Sequence, residues 1–359
     1  MIKQTKPIIE AEEKQAVLEA LESGILTQGL RVLAFEEAFA KFCGTRFAIA
    51  TSSGTTALQI ALLAHGFKAG DEVITTPFSF IASANSILSV GAKPVFVDIN
   101  PHTFNIDVSK IEGAITPRTK AILPVHLYGL CCEMDSILKI AKKNNLIVIE
   151  DACQSLGAFY KEKKAGSFGI GTFSFSPTNN ITSAEGGMVT TNYETFAEHC
   201  KSIRNQGMST HNYQEELGFN FRMTDVHAAI GLAQLKKLGQ FINQLFQNAA
   251  FYNEKLKGVA IPYVPEGCFH VYNQYTIRVP NGRRDALRDY LKSKAIETEV
   301  YYPVPIHQQK FYVDMFGTKQ RFPQVEHAAT EVLSIPVHPS LTRVELETVT
   351  AEINYFMRN

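Results

Sequence analysis

The sequence predicts an α/β fold with a mostly parallel central sheet. Between residues 47 and 191, short apolar runs alternate with helical runs, as in "FAIA" followed by "GTTALQIALLAHGF". Strands that are apolar throughout are buried on both faces, which is typical of a parallel sheet covered by helices on each side. The 359 residues, 45% of them hydrophobic, suffice for one large domain and a smaller one.

The predicted strands follow one another along the first half of the chain, each separated from the next by a helical run. "GTFSFS" and "GGMVTT" then predict two further strands close together, and residues 224–257 predict a long helix or helix pair within which the large domain ends. The first five strands are "FAIA", "EVITT", "KPVFVDI", "KAILPVHLYG" and "LIVIED", and the later intervening helices are "FIASANSILSV", "VSKIEGAI" and "DSILKIAKKNN".

A smaller α+β domain is predicted beyond the long helix. "NQYTIRV" and "ETEVYY" have the composition of strands, and they flank the helical run "RRDALRDYLKSKA". We therefore expect a large domain over residues 1–249, which includes an N-terminal helix, and a small domain over residues 250–359. The N-terminal helix is expected to pack against one of the two.

The charge of the chain is balanced, with 35 Lys and Arg against 35 Asp and Glu. This balance indicates neither a nucleic-acid-binding face nor a membrane-binding one, and no run of about 18 apolar residues predicts a membrane span. The N-terminus lacks the apolar core of a signal peptide, so we expect a cytoplasmic protein that acts on a small molecule. The six cysteines show no metal-ligand spacing and are expected to be reduced, with no metal bound.

Residues that follow the predicted strands are candidates for a binding site, because ligands of open α/β sheets lie outside the carboxyl ends of the strands. Ser53, Gly54 and Thr55 lie between a strand and a helix, where free backbone N–H groups and the positive helix end suit a phosphate. A plain helix cap is the alternative. Phe78 and Phe80 follow the next strand, and an aromatic ring there either lies against a planar ligand or belongs to the core.

Two acidic residues, Glu150 and Asp151, end the apolar strand "LIVIED". At least one carboxylate must therefore lie at the mouth of the sheet, where it needs a cationic or hydrogen-bonding partner. Asp151 beside a pyridine nitrogen would keep that nitrogen protonated, whereas as a helix N-cap it would be structural. Further along, Ser174 precedes Asn179 in "SFSPTNNITSAEGG".

Taken together and in order, these segments resemble the DegT/StrS family of nucleotide-sugar aminotransferases, which depend on pyridoxal 5′-phosphate (PLP) and have the type I aminotransferase fold. The resemblance extends over nearly the whole chain. The stretches that carry it are "SGILTQG", "SSGTTAL", "TPFSFIASAN", "PVHLYG", "EDACQSLGA", "KKAGSFG", "FSF…NIT…EGGMV", "RNQGM", "GFNFRMTDVHAAIGLAQL", "QYTIRV", "YYPVPIH" and "LSIPVHPSLT".

The resemblance implies cofactor-binding roles by position. Gly54, Thr55 and Ser174 would hold the cofactor phosphate, and Phe80 would stack on the cofactor ring. Asp151 would pair with the pyridine nitrogen. The expected cofactor is PLP or pyridoxamine 5′-phosphate (PMP).

Four further residues receive roles from the same resemblance. Gln154 would reach the ring hydroxyl, and Asn220 matches a residue that crosses a dimer interface to the partner's phosphate. Arg222 and His307 match positions near the substrate. The resemblance thus implies a homodimer with shared sites that uses a sugar nucleotide together with glutamate and 2-oxoglutarate.

Asn179 departs from the family pattern, which has lysine at this position. That lysine forms a Schiff base with PLP, releases it to the incoming amine and then carries the proton between Cα and C4′. A carboxamide is neither a nucleophilic amine nor a base near neutral pH. General-base catalysis contributes roughly 10²–10⁴ in rate, or about 2.7–5.5 kcal/mol of barrier. No replacement amine is evident, since Lys163 and Lys164 precede a glycine loop and cannot be placed near the ring.

Three interpretations remain open. In the first, the chain is an aminotransferase whose lysine has been replaced, by design or naturally, so that the cofactor binds without a covalent link and turnover is in question. In the second, it is a sugar dehydratase: some relatives have His instead of Lys and a "PAHHIT"-like stretch similar to "PTNNIT", although Asn lacks a titratable nitrogen and "YYPVPIH" fits aminotransferases better. In the third, it is a pseudoenzyme that binds cofactor or sugar nucleotide without turnover.

Overall fold

The strands and helices of the chain are seen in a computed structural model, which describes residues 1–210, 212–317 and 320–359. The strands are β1 (Phe47–Thr51), β2 (Glu72–Thr75), β3 (Lys93–Phe96), β4 (Thr119–Ile122), β5 (Ile147–Asp151), β6 (Phe159–Tyr160), β7 (Lys163–Lys164), β8 (Ile170–Ser174), β9 (Gly187–Thr191), β10 (Met208–Thr210), β11 (Tyr213–Gln214), β12 (Cys268–Phe269), β13 (Tyr275–Arg278) and β14 (Val332–Ile335).

The helices connect and cover these strands. They are α1 (Ala11–Glu22), α2 (Leu30–Cys43), α3 (Gly54–Ala64), α4 (Ala82–Ser89), α5 (Met134–Lys143), α6 (Glu194–Arg204), α7 (Asp225–Lys255), α8 (Arg284–Ser293), α9 (Lys310–Phe316), α10 (Pro323–Glu331) and α11 (Arg343–Arg358). In the part of the chain that the structure describes, none of these helices is long and apolar enough to span a bilayer.

The central sheet has seven strands in the order β1-β9-β8-β5-β4-β2-β3. Strand β9 runs antiparallel to both of its neighbours, β1 and β8, while the pairings from β8 to β3 are parallel. The predicted α/β class with a mostly parallel sheet is therefore confirmed. Because β1, β2, β5 and β8 point the same way, their carboxyl ends lie along one edge of the sheet.

Alternate residues of the strands pack against different helical layers, as the two-residue period of a strand requires. In β1, Ala48 and Ala50 belong to an apolar cluster that contains Phe35 and Phe39 of α2, whereas Ile49 belongs to the cluster that contains the apolar face of α3. The sheet is thus buried on both faces. This double burial explains why β1 and β5 begin with continuous apolar runs, since neither face of these strands meets solvent.

Two predicted elements were wrong. "VSKIEGAI" does not form an α-helix but two short 3₁₀ turns at Val108–Lys110 and Glu112–Ala114. "ETEVYY" is not a strand, and only an isolated bridge joins Glu299 to Ser334. The partner of β13 is instead β14, which is buried at every residue and follows α10 without a turn signal in the sequence.

The division into domains at residues 249 and 250 falls within α7, which is a continuous helix of 31 residues. Helix α1 packs on α7, where Lys237 Nζ lies 3.0 Å from Glu13 Oε1. The first residues of the chain, however, contact the predicted small domain, since Ile2 pairs with Ile296. The boundary stays a prediction, and the N-terminal segment contacts both parts.

Gly187, at the start of β9, lies against the turn that precedes α3. A Cβ atom at Gly187 would lie 2.2 Å from the carbonyl oxygen of Ser53, whereas a Cβ at Gly113 would meet nothing within 4 Å. We expect Gly187→Ala to lower the free energy of unfolding by about 1–3 kcal/mol, because the obstacle is backbone. Gly113→Ala is the matched control and should cause no loss. Urea unfolding measures both, and equal effects of the two changes would contradict this packing.

Candidate functional site

The carboxyl ends of β1, β5 and β8 bring several predicted site residues into contact. Gly54 begins α3 directly after β1, and a Cβ atom at Gly54 would lie 2.7 Å from the Cβ of Ser174 and 3.1 Å from Cys153 Sγ. Ser174 ends β8, and Cys153 follows Asp151 at the end of β5. Only a residue without a side chain allows this approach of the helix start to the two strand ends.

The first turn of α3 has the geometry of an anion site. Ser53 caps the helix, since its Oγ accepts the N–H of Thr56 at 3.1 Å while Thr56 Oγ1 accepts the N–H of Ser53 at 2.9 Å. The N–H groups of Gly54 and Thr55 belong to the first turn, where no intrahelical acceptor exists. With the positive end of the helix and the adjacent Ser174 hydroxyl, they suit a phosphate group.

Asp151 presents a buried carboxylate at this edge. Its Oδ2 accepts the hydroxyl of Ser83 at 2.7 Å, and its Oδ1 accepts the N–H of Cys153 at 3.2 Å. The residue is 5% exposed. A carboxylate held in this way has room for one further donor, which a protonated ring nitrogen would supply.

Glu150 has a different role from Asp151, because adjacent residues of a strand point to opposite faces. Its carboxylate accepts backbone N–H groups from Gly166, Phe168 and Gly169, each at 2.8 Å, and lies 3.0 Å from His126 Nε2. The backbone N–H of Cys132 donates to His126 Nδ1 at 3.0 Å. Since Nδ1 is an acceptor here, the ring proton is on Nε2 and points at Glu150. Glu150 is therefore a structural carboxylate beneath the site.

The two phenylalanines after β2 have separate environments. Phe78 is fully buried in the core, and its ring meets that of Tyr302 edge-on at 6.4 Å between centroids. Phe80 is 59% exposed, and its ring centroid lies 6.3 Å from that of Tyr302. Of the two, Phe80 has a ring face available to a planar ligand.

The side chain of Gln154 is held by one residue of the predicted large domain and one of the predicted small domain. Its Oε1 accepts the N–H of Tyr128 at 2.8 Å, and its Nε2 donates to the hydroxyl of Tyr302 at 2.9 Å. Burial raises the pKa of Tyr302, so that hydroxyl is protonated at neutral pH. Sequence reasoning missed Tyr302 as a site residue; its signal was the "YYPVPIH" stretch. One N–H of the Gln154 amide remains for a ligand.

Asn179 lies in the turn that leaves β8. Its Nδ2 donates to the backbone oxygen of Ser174 at 3.0 Å, and its N–H donates to the carbonyl of Ser176 at 3.0 Å. The carboxamide thus folds back on its own loop and lies next to the Ser174 end of the site. It offers hydrogen bonds there but neither an amine nor a base.

Lys163 and Lys164 are held elsewhere on the short strand β7. The ammonium group of Lys164 lies 3.9 Å from the ring centroid of Phe42 and donates to the Phe42 carbonyl. Lys163 is exposed and pairs through its backbone with Tyr160. Within the residues that the structure describes, neither lysine contacts a predicted site residue.

Asn220 and Arg222 lie beside the α3 end of the site. The carbonyl of Phe221, between them, accepts the N–H of Ser52 at 2.9 Å. Asn220 is exposed, and Arg222 Nη1 donates to Asn205 Oδ1 at 2.7 Å. An exposed amide at this position is accessible to a second subunit.

His307, the predicted site residue that lies in the small domain, is buried. Its ring packs edge-on against Phe322 at 4.8 Å, and its Nε2 lies 3.5 Å from Glu326 Oε1. Burial lowers its pKa, so the ring is neutral at neutral pH. The backbone N–H of Ile306 donates to the carbonyl of Pro77 at 2.9 Å, which brings this loop beside the Phe80 segment. The predicted substrate role of His307 stays a prediction.

Comparison with known proteins finds similarity over nearly the whole chain. A model of the DegT/DnrJ/EryC1/StrS aminotransferase family matches residues 7–354. The chain is 41% identical to a pleiotropic regulatory protein of Geobacillus stearothermophilus, over 95% of this chain and 93% of the relative. It is 40% identical to the GDP-perosamine synthase of Caulobacter vibrioides, over 97% and 96% of the two chains. The crystal structure of NtdA from Bacillus subtilis with bound cofactor PMP superposes with a TM-score of 0.92 at 34% identity, covering 100% of this chain and 87% of that one.

The structural role of Glu150 is testable by an isosteric change. In Glu150→Gln, the new NH₂ group is a donor, and it would lie against N–H groups that now donate to the carboxylate. Because two donors cannot bond to each other, we expect a loss of about 2–4 kcal/mol in the free energy of unfolding. Glu194→Gln, whose side chain is 68% exposed in an ion pair with Arg46, is the control and should cost about 0–1 kcal/mol. Urea unfolding gives both values. A cost for Glu150→Gln as small as that of the control would show that Glu150 does not hold the loops.

Proposed function

Because the chain belongs to the DegT/DnrJ/EryC1/StrS aminotransferase family, we propose that it binds PLP or PMP without a covalent link, at a site built for amino transfer from glutamate to a keto-deoxysugar nucleotide. The observation that carries this proposal is the convergence of the α3 start, Ser174 and Asp151 at one edge of the sheet. The sugar-nucleotide class is supported by the relative named as a GDP-perosamine synthase.

The residues of the site suit such a cofactor in their chemistry. The N–H groups of Gly54 and Thr55 and the hydroxyl of Ser174 would bind the phosphate, and the lack of a side chain at Gly54 allows these groups to lie close together. Asp151 would hold the ring nitrogen protonated, and Phe80 would pack on the ring face. When bound, the cofactor supplies an electron sink for cleavage of a bond at the amino-bearing carbon.

Gln154 and Asn179 have different roles in the proposed site, since Gln154 would bind the cofactor and Asn179 cannot act as its acid or base. The free N–H of Gln154 would donate to the ring hydroxyl of the cofactor, while its other groups stay fixed by Tyr128 and Tyr302. Asn179 contributes a neutral amide that cannot take up or deliver the proton of the reaction at neutral pH. The chain therefore retains binding and orientation and lacks the acid–base group.

A homodimer would complete the site. Six exposed apolar side chains lie on α1, α2 and their connection, and together they are here called the α1–α2 patch. The backbone N–H of Asp225 donates to the carbonyls of Leu26 and Thr27, so the patch adjoins the segment that carries Asn220. We propose that a second copy covers the patch and that its Asn220 reaches the phosphate. The patch residues are Leu18, Leu21, Ile25, Leu26, Leu30 and Leu33.

Assembly is tested by charging the patch. Leu30 is 73% exposed, so Leu30→Asp should leave the fold intact but convert the dimer to monomer, because a carboxylate would be buried without a partner. Val344→Asp, at a residue that is 71% exposed on α11, is the control and should leave the assembly unchanged. Light scattering reports the mass. A monomeric unaltered chain with intact cofactor binding would remove this part of the proposal.

The missing amine is tested by restoring it. Asn179→Lys should give a visible Schiff-base absorbance with PLP and a borohydride-stable adduct of PLP mass, followed by glutamate-dependent amination of a keto-sugar nucleotide. The unaltered chain should bind PLP and give no adduct. Thr178→Lys, at the exposed neighbouring residue, is the control and should give no adduct.

The same measurement separates the alternatives. Release of water from a 4-keto-6-deoxy sugar nucleotide by the unaltered chain with PMP would favour the dehydratase. A Schiff base in Asn179→Lys without amination would favour the pseudoenzyme. Bound PLP without any Schiff base would show that position 179 does not face the aldehyde carbon of the cofactor.

A further inference from the structure

A chain of buried hydroxyl groups leads from α4 to the carboxylate of Asp151. Ser83 Oγ donates to Asp151 Oδ2 at 2.7 Å, and Ser79 Oγ lies 3.2 Å from Ser83 Oγ. Ser83 is 1% exposed and Ser79 is 2% exposed. Both serines are in the "TPFSFIASAN" stretch, whose aromatic residues are the candidates that the sequence offers for a binding site.

The direction of the hydrogen bonds from Ser79 through Ser83 follows from the carboxylate of Asp151, at which they end. An ionised carboxylate only accepts hydrogen bonds, so the single hydroxyl proton of Ser83 must point at Asp151. The Ser83 oxygen is then free to accept the proton of Ser79. The bond to Asp151 is short, as is usual when the acceptor is charged.

The bond limits the rotation of the Asp151 carboxylate. The final torsion of an aspartate side chain is soft, and little in the side chain itself selects one orientation. Ser83 holds Oδ2, while the N–H of Cys153 holds Oδ1 only at 3.2 Å. Without Ser83 the carboxylate would keep the long hydrogen bond from the Cys153 N–H and a weak contact with the Cys153 thiol, and it could turn about the Cβ–Cγ bond.

We propose that Ser83 is a positioning residue, which orients the Asp151 carboxylate toward the ring nitrogen of the cofactor. This inference rests on the proposed function, in which Asp151 pairs with that nitrogen. Ser83 itself does not touch the cofactor in this proposal. Its contribution is therefore specific to ligands that carry a basic ring nitrogen.

Helix α4 offers a matched control for a purely structural serine. Ser86 is fully buried one turn further along the same helix, and its Oγ donates to the carbonyl of Ala82 at 2.6 Å. Ser86→Ala removes a buried hydroxyl of equal size and leaves Asp151 untouched. Any general loosening of α4 should appear in both variants.

The experiment compares two ligands on three proteins. The dissociation constants of PMP and of its analogue with C–H in place of the ring nitrogen are measured by calorimetry for the unaltered chain, Ser83→Ala and Ser86→Ala. The unaltered chain should prefer PMP. Ser83→Ala should weaken PMP binding about tenfold and analogue binding less than about twofold, since one charge-assisted hydrogen bond contributes to the first only. Ser86→Ala should keep the preference of the unaltered chain.

The outcomes distinguish this inference from the proposed function. If the unaltered chain fails to bind PMP, or binds both ligands equally, the proposed function is overturned and this inference with it. If the unaltered chain prefers PMP and Ser83→Ala keeps the full preference, only the positioning role of Ser83 is overturned. Should Ser83→Ala not fold, Ser83→Cys replaces the hydroxyl with a slightly larger and weaker donor, so the preference should fall, and a preference as large as that of the unaltered chain would overturn the role.

Discussion

The geometry of the site depends on the hydrogen bonds that the buried carboxylate of Glu150 accepts. The carboxylate binds three backbone N–H groups of the Gly166–Gly169 loop and the imidazole of His126, and it has no access to solvent. These partners connect the end of β4, the end of β5 and the approach to β8. A carboxylate buried without them would be too costly to keep, so the loops and the charge are held together. The position of Asp151, the next residue, follows from this arrangement.

Glu150 and Asp151 show how the end of one strand can carry both a structural carboxylate and a carboxylate with capacity for a further donor. Both carboxylates are buried, and the strand directs them to opposite faces of the sheet. All four contacts of Glu150 are to the protein itself, which leaves it no capacity for a ligand. Asp151 has one short and one long hydrogen bond, and so retains the capacity to accept another donor. The difference lies in the surroundings, since the two groups are chemically alike.

Much of this arrangement was predictable from the sequence, and the rest was not for identifiable reasons. Apolar strands and glycines after them locate the sheet and the α3 start, because both depend on local composition. Ser83 and Tyr302 were missed because their roles come from contacts with Asp151 and Gln154, which lie 68 and 148 residues away along the chain. The composition of "ETEVYY" predicts a strand, but β14 pairs with β13 in its place. Propensity identifies a strand-like segment and does not choose its partner.

The residues that would bind the cofactor also stabilise the fold, and this bears on the meaning of Asn179. Ser53 caps α3, Gly54 permits its contact with Ser174, and the strand that ends in Asp151 is anchored by Glu150. Loss of a catalytic lysine would remove none of these structural contacts. Asn179 itself is accommodated by a hydrogen bond to the backbone of Ser174. A well-formed site is therefore no evidence for turnover, because folding alone is sufficient to maintain it.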